Sequence, residues 1–260
     1  MDFSEKYGPW ALVSGASAGL GELFARRLAA RGLNVVLLAR RKERLDALGA
    51  ELSKAHGIQT RSVTADLSAP DFLDAVIEQT ADLEIGLLIN NAGFTNSGEF
   101  LDNDLAAEIR LVDVNCRAAM MLAHHFGQQM RERKRGGMIF SASIAGYSAI
   151  PFWANYSASK SFDLIFAEAL GEELQPHGVD VLALCPGATH TEFAEYKGAF
   201  ARFLAMEAGP VVDGALDHLG RRRTWIAGWL NASNVFLMRL VPRKLSRLLA
   251  GFFIRDMVDH

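Results

Sequence analysis

The chain has 260 residues, half of them hydrophobic and 22% charged, which suits a sizeable packed core and excludes a disordered protein. A net charge of −3 gives no global attraction for nucleic acid. The two cysteines, Cys116 and Cys185, stand far apart in apolar runs with no second Cys or His at ligand spacing, so buried core thiols and no metal are expected.

The first residues, Met1 to Glu5, lack the basic and apolar regions of a secretory signal, and no run approaches the ~20 apolar residues of a spanning helix. A soluble, cytoplasmic protein is expected. Trp10–Ser14 is a short apolar run ending in glycines, followed by Leu20, Leu23, Phe24 and Leu28 at helical spacing. Gly32 stops that helix, and Asn34–Leu38 reads as a second buried strand. Helical Leu45, Leu48 and Leu52 precede a strand near Thr60–Ala65, and Phe72, Val76 and Ile77 precede a strand at Leu87–Asn90. Ile109, Val112, Ala119 and Leu122 predict one long helix turned to the core, then a strand at Met138–Ser143. A helix over Tyr156–Leu174 leads into the strand Val179–Leu184, and Thr224–Ala227 reads as a last strand. Continuous rather than alternating apolar runs mark strands covered on both faces. The expected fold is α/β: one doubly wound, Rossmann-like parallel sheet flanked by helices, with a C-terminal helical extension. Residues 1–228 form the dinucleotide-binding and catalytic domain in this reading, and 229–260 a tail packed on it.

The turn after the first strand reads Ser14-Gly15-Ala16-Ser17-Ala18-Gly19-Leu20-Gly21. Glycines between a strand and a helix permit a tight turn and let backbone approach a pyrophosphate, which rests on the helix N-terminus. Gly15, Ser17, Gly19, Leu20 and Gly21 are therefore cofactor candidates, although three residues separate the first two glycines where the G-x-G-x-x-G pattern has one. At the end of the second strand, where an NAD site carries an acid for the ribose 2′-hydroxyl, stand Ala39-Arg40-Arg41. Two guanidinium groups suit a 2′-phosphate and point to NADP(H); the plainer alternative is a solvated basic helix start. Asp66 and Leu67 close the third strand, where an adenine edge is met, although Asp66 equally suits a cap for the segment from Ser68. Asn91 and Gly93, closing the fourth strand with small neighbours, leave room for a ligand.

Tyr156 and Lys160 are four residues apart on one helix, so they share a face. A phenol with an unperturbed pKa near ~10 is a poor acid–base catalyst at neutral pH. A neighbouring ammonium favours its ionised form. Ser143 ends the preceding strand, placed to donate to a substrate oxygen, and Asn115 is a polar residue in a helix otherwise turned inward.

In their order these residues resemble the short-chain dehydrogenase/reductase family over about residues 8–195: the glycine motif, Asn90-Asn91-Ala92-Gly93, Asn115, Ser143, Tyr156 with Lys160, and Pro186-Gly187 followed by Thr191. The thirteen-residue interval from Ser143 to Tyr156 is also the family's. The resemblance implies that Tyr156 is the acid/base, that Ser143 orients the carbonyl, and that Lys160 activates the tyrosine and binds ribose. It implies that Asn115 holds a water in a proton relay, and that Pro186, Gly187, Thr189 and Thr191 lie against the nicotinamide. One departure is Ser14, where threonine is commoner; the hydroxyl is kept. Lys6–Val13 is also similar to the branch of very-long-chain 3-oxoacyl-CoA reductases and 17β-hydroxysteroid dehydrogenases, which implies a lipophilic ketone or secondary alcohol as substrate.

Segments following the strand ends should line the substrate side: Phe94–Phe100, Tyr147–Trp153 and Phe193–Phe203, whose aromatic content suits a lipophilic or ring-bearing molecule. Simple packing of a lid helix by Phe200, Phe203 and Leu204 explains the last segment as readily. The tail after Trp229 mixes Phe236, Leu237, Leu240, Leu248, Leu249 and Phe252 with Arg239, Arg243, Lys244, Arg247 and Arg255. Packing on the pocket or on a second copy in a homo-oligomer is the first expectation. Peripheral contact with an anionic membrane is the other. A non-catalytic NADP(H) sensor or scaffold is the competing function, and it has no need of the Asn115, Ser143, Tyr156 and Lys160 set. A nucleotide-sugar epimerase shares Tyr-x-x-x-Lys but wants a longer segment after Gly187.

Overall fold

Successive residues of a strand point to opposite faces, and here both faces are covered. Ala11, Val13, Val35 and Leu37 enter one core, while Trp10, Leu12, Val36 and Leu38 enter the other. The computed structural model describes residues 2–190 and 205–258. Its strands are β1 (Trp10–Ser14), β2 (Asn34–Ala39), β3 (Thr60–Thr64), β4 (Ile85–Asn90), β5 (Gly136–Ser141), β6 (Val179–Cys185) and β7 (Thr224–Ile226). They form one sheet in the order β3-β2-β1-β4-β5-β6-β7, every pairing parallel. The expected doubly wound sheet is present.

The helices are α1 (Phe3–Tyr7), α2 (Gly19–Ala30), α3 (Lys42–His56), α4 (Phe72–Thr80), α5 (Leu105–Val112), α6 (Ala119–Arg133), α7 (Ala154–Leu174), α8 (Ala208–His218), α9 (Trp229–Leu240) and α10 (Arg243–Val258). Phe24 and Leu28 of α2, Leu45 and Leu48 of α3, and Val211 and Val212 of α8 fill the first core. Phe72 and Val76 of α4, Leu122 and Phe126 of α6, and Leu164 and Ala167 of α7 fill the second. After β3 the chain recrosses to the other side of β1 and starts β4. The carboxyl ends of β1 and β4 thus flank the switch point where α/β sheets leave a crevice.

Two expectations need correction. The long helix is interrupted by a π-helical turn, Asp113–Ala118, between α5 and α6. The wider turn rotates the face that follows, so Ile109 and Val112 are exposed while Ala119 and Leu122 are buried. Ser143 lies two residues beyond β5 and is the N-cap of a short 3-10 turn, Ile144–Tyr147, with its hydroxyl accepting from Ala145 N at 3.1 Å. The expected helical tail consists of two helices, α9 and α10, parted at Pro242, which cannot continue α9. Cys185 is buried as expected; Cys116 is half-buried.

The tail packs on the loops that follow β5 and β6. Arg239 lies over the Tyr147 ring at 5.1 Å, and Ser246 Oγ is 3.0 Å from Ser148 Oγ. Asn231 fills the space where a side chain at Gly187 would stand, 2.5 Å from its Nδ2.

Candidate active site

A cleft of about 780 Å³ opens at the carboxyl ends of β1, β4, β5 and β6. It is lined by Gly15, Ser17, Gly19, Leu20, Arg40, Arg41, Asp66, Leu67, Asn91 and Gly93 along one length, and by Ser143, Tyr156, Lys160, Pro186, Gly187 and Thr189 along the other. Gly21 and Asn115 do not line it. Thr191 and the segment from Phe193 to Leu204 lie outside the described residues.

Gly21 serves the cleft from behind. A Cβ there would stand 2.3 Å from Gly15 O and 2.6 Å from Asn91 Nδ2, so only glycine lets α2 start this close to β1 and β4. Gly15 itself has φ +71, and a Cβ on it would meet Ala92 Cα at 2.9 Å. The Ser14 hydroxyl knits the strand ends: it accepts from Asn91 N at 3.0 Å and Ala92 N at 3.1 Å, and donates to Ile89 O at 3.2 Å.

At the far end, the two arginines divide. Arg41 Nε donates to Ser17 Oγ at 3.1 Å and its Nη2 to Ser17 O at 3.2 Å, bracing the glycine loop. Arg40 is exposed and has no hydrogen bond or ion pair among the described residues. Asp66 lines the cleft and also caps the turn after β3, accepting from Ser68 N at 3.0 Å and Ser68 Oγ at 2.8 Å. Those bonds hold its carboxyl below the usual carboxylate range, helped by the nearby Arg40 and Arg110 charges. The cap reading of Asp66 is thus realised, and the same residue borders the cleft. Arg110 and Val114, from α5 and the π turn, line the same wall. No spacing in the sequence pointed to them, because they reach the cleft only through the packing of α5.

At the near end, the start of α7 is tied down on two sides. Glu108, buried in α5, accepts from Asn155 Nδ2 at 2.6 Å and from Asn103 Nδ2 at 2.8 Å. Trp153 Nε1 donates to Ser97 Oγ at 2.8 Å, and the Trp153 ring meets Tyr156 edge-on at 5.5 Å. The Tyr156 hydroxyl has no hydrogen-bond partner among the described residues. Ser143 Oγ reaches Pro186 O at 3.4 Å, too long for a strong bond, which leaves its proton available toward the cleft.

Asn115 sits in the π turn, with both its amide nitrogen and its amide oxygen hydrogen-bonded to protein. Its Nδ2 donates to Phe94 O at 3.0 Å and Ser159 Oγ at 3.0 Å, and its Oδ1 accepts from Phe94 N at 3.0 Å. The side chain therefore clamps the loop after β4 to α7. Lys160, also buried, donates to Ser141 O at 2.7 Å and to Asp163 Oδ2 at 3.0 Å. Asp163 was missed by sequence reading, although its spacing of three from Lys160 was visible. Among the described residues no group of three or more His, Cys, Asp or Glu side chains is placed to hold a metal, and no helix is long and apolar enough to cross a membrane.

Comparison with known proteins agrees with this architecture. The family model described as short chain dehydrogenase matches residues 9–201. A 7beta-hydroxysteroid dehydrogenase of Clostridium sardiniense is 34% identical over 234 residues, covering 89% of this chain and 90% of the relative. The very-long-chain 3-oxoacyl-CoA reductase of Podospora anserina is 38% identical over 181 residues, 68% of this chain but 53% of that protein. Among solved structures, a 7beta-hydroxysteroid dehydrogenase superposes with TM-score 0.91 at 30% identity, covering 96% of this chain and 99% of that one. A short-chain dehydrogenase from Sphingobium yanoikuyae in complex with NADPH superposes with TM-score 0.78 at 34% identity, covering 91% and 97%.

Proposed function

This chain belongs to the short-chain dehydrogenase family and is an oxidoreductase acting on CH–OH and C=O groups, and from that premise we propose that it binds NADP(H) and interconverts a steroid-like ketone and secondary alcohol, with Tyr156 handling the proton. One observation carries the reading. Ser143, Tyr156 and Lys160 line the same cleft as Gly15, Arg40 and Gly187, so proton chemistry and nucleotide-binding features share one cavity.

The residues fit the dinucleotide. Gly15 and Gly21 let the turn after β1 and the start of α2 pack closely on the strand ends, which leaves the N-terminus of α2 for a pyrophosphate. Arg40, with no hydrogen bond or ion pair among the described residues, is available to a 2′-phosphate, and Asp66 and Leu67 would border the adenine end. Lys160 would meet the ribose, and Pro186, Gly187 and Thr189 would lie against the nicotinamide. The nicotinamide supplies or accepts the hydride. The protein's part is orientation and the proton. In the reductive direction Ser143 Oγ donates a hydrogen bond to the carbonyl oxygen, and Tyr156 gives that oxygen its proton. Lys160 holds a positive charge on the α7 face it shares with Tyr156. Asn115 contributes by holding the loop at Phe94 against α7.

A steroid-like substrate is preferred over a 3-oxoacyl chain because the likeness to 7beta-hydroxysteroid dehydrogenases covers nine-tenths or so of both proteins, whereas the matched 3-oxoacyl-CoA reductase is covered over 53% of its length. NADPH oxidation followed with oxo-steroids and with 3-oxoacyl thioesters tests the choice. Turnover of thioesters alone would reverse it. With the better substrate, Tyr156→Phe should lower the rate by about 10²–10⁴, the usual contribution of general acid–base catalysis, while NADPH affinity survives. Near-normal turnover in that variant would remove Tyr156 from its role.

A further inference from the structure

Asp163 is a buried carboxylate that the chemistry above does not use. It follows Tyr156 by seven residues and Lys160 by three, so all three occupy one face of α7. Its Oδ2 lies 3.0 Å from Lys160 Nζ, with the two side chains only 5% and 7% exposed. Its Oδ1 has no hydrogen-bond partner among the described residues. A carboxylate with an unfilled acceptor is costly to bury, and an apolar residue would pack α7 at this position without that cost. Its retention in the core calls for a use.

That use lies with Lys160. Burial drives a lysine toward the neutral amine. Against that pull stand first the Asp163 carboxylate, then Tyr156 and Cys116, and together they hold Lys160 above its ordinary value. Burial likewise holds Asp163 above the usual carboxylate range, with Lys160 opposing. Cys116 faces the pair from the π turn, and Cys185 faces it from the end of β6. Both thiols are pushed up by burial to about 12, so neither supplies a negative charge at lower pH. Asp163 is the acidic partner that Lys160 has among the described residues.

We infer that Asp163 is a positioning residue for the reaction: the built-in counter-charge that keeps Lys160 protonated and anchored beside Ser141 O before any nucleotide arrives. The inference rests on the reading of Lys160 as the ribose-binding lysine. It gives the cleft a fixed cation at alkaline pH, where a buried lysine without a partner would be neutral.

The test is the NADPH dissociation constant, read by quenching of tryptophan fluorescence from about pH 7 to about pH 9.5, beside the pH profile of kcat/KM. The native protein should show little change in affinity over that range. Asp163→Asn should match it within about threefold near neutrality, then lose up to about tenfold in affinity per pH unit once Lys160 gives up its proton. The alkaline limb of kcat/KM should move down by about one unit or more. Asp163→Glu should restore both profiles. Asp163→Leu, which also removes the unpaired oxygen, must reproduce the displacement if Asp163→Asn folds poorly. Profiles parallel to the native one in both variants, whatever the loss of Tm, overturn the inference. A Lys160→Met/Asp163→Leu double variant separates the two readings. If it binds NADPH and turns over normally, the assignment of Lys160 itself fails; if it is impaired at every pH while the Asp163 profiles stay parallel, only the role of Asp163 fails.

Discussion

Arg40 and Arg41 are adjacent in sequence and differ in what they touch. Arg41 donates to Ser17 through Nε and Nη2 and so supports the glycine loop, whichever nucleotide lies there. Arg40 lines the cleft with no hydrogen bond or ion pair among the described residues. Arg40→Ala should therefore weaken NADPH binding by about 1.5–3 kcal/mol, the loss of a charge-assisted hydrogen bond, and leave NADH nearly unchanged. Calorimetric titration with both nucleotides checks this, and equal losses would show that Arg40 does not read the 2′-phosphate. These two residues were legible in the sequence because an apolar run fixes where β2 ends, and a strand's carboxyl end is a predictable place. Their division of labour was not, since it depends on the direction each guanidinium takes. Arg110 carried no signal at all: it joins the site through the packing of α5, which no local spacing encodes.

At the scale of elements, the junction of β1 with α2 is the tightest in the site. Gly21→Ala would push a methyl into Gly15 O and Asn91 Nδ2, and neither the backbone nor a side chain hydrogen-bonded to Ser14 O gives way easily. An overpacking cost of about 1–3 kcal/mol is expected in urea unfolding, with NADPH and NADH weakened alike because the whole loop moves. The contrast with the selective loss at Arg40 is the diagnostic feature. An alanine variant with native stability and affinity would mean that close packing is not what Gly21 serves. The strands β1, β2, β4 and β6 were legible because both their faces are buried and their apolar runs are unbroken. The π turn was not. An i→i+5 turn leaves no mark in apolar periodicity over so short a stretch, so Ile109 and Val112 were assigned to the core face and stand outside it.

The order of the whole sheet was readable because alternating strands and helices leave few parallel arrangements open. The place of the tail was not readable, because an amphipathic basic segment fits a pocket, a partner or a membrane equally well. In the folded chain α9 and α10 lie on the loops after β5 and β6, through Asn231 at Gly187, Arg239 at Tyr147 and Ser246 at Ser148. Their outer side exposes Trp229 (75%), Phe236 (62%), Leu240 (68%) and Leu248 (63%). Truncation after Ala227 should therefore raise KM for lipophilic substrates, since it uncovers the loops beside Ser143 and Gly187. If a second copy covers the outer side, truncation also reduces the oligomer. NADPH affinity should change far less, because Gly15, Ser17 and Arg40 lie at the opposite end of the cleft. A membrane role makes a different forecast: unchanged soluble kinetics and oligomer size, with loss of a salt-sensitive association with anionic vesicles. Co-sedimentation of full-length and truncated protein with such vesicles, at low and high salt and beside soluble kinetics, decides between them. Sedimentation of the full-length protein alone, abolished by salt and unaccompanied by any kinetic change, would move the tail from the pocket and subunit surface to a bilayer.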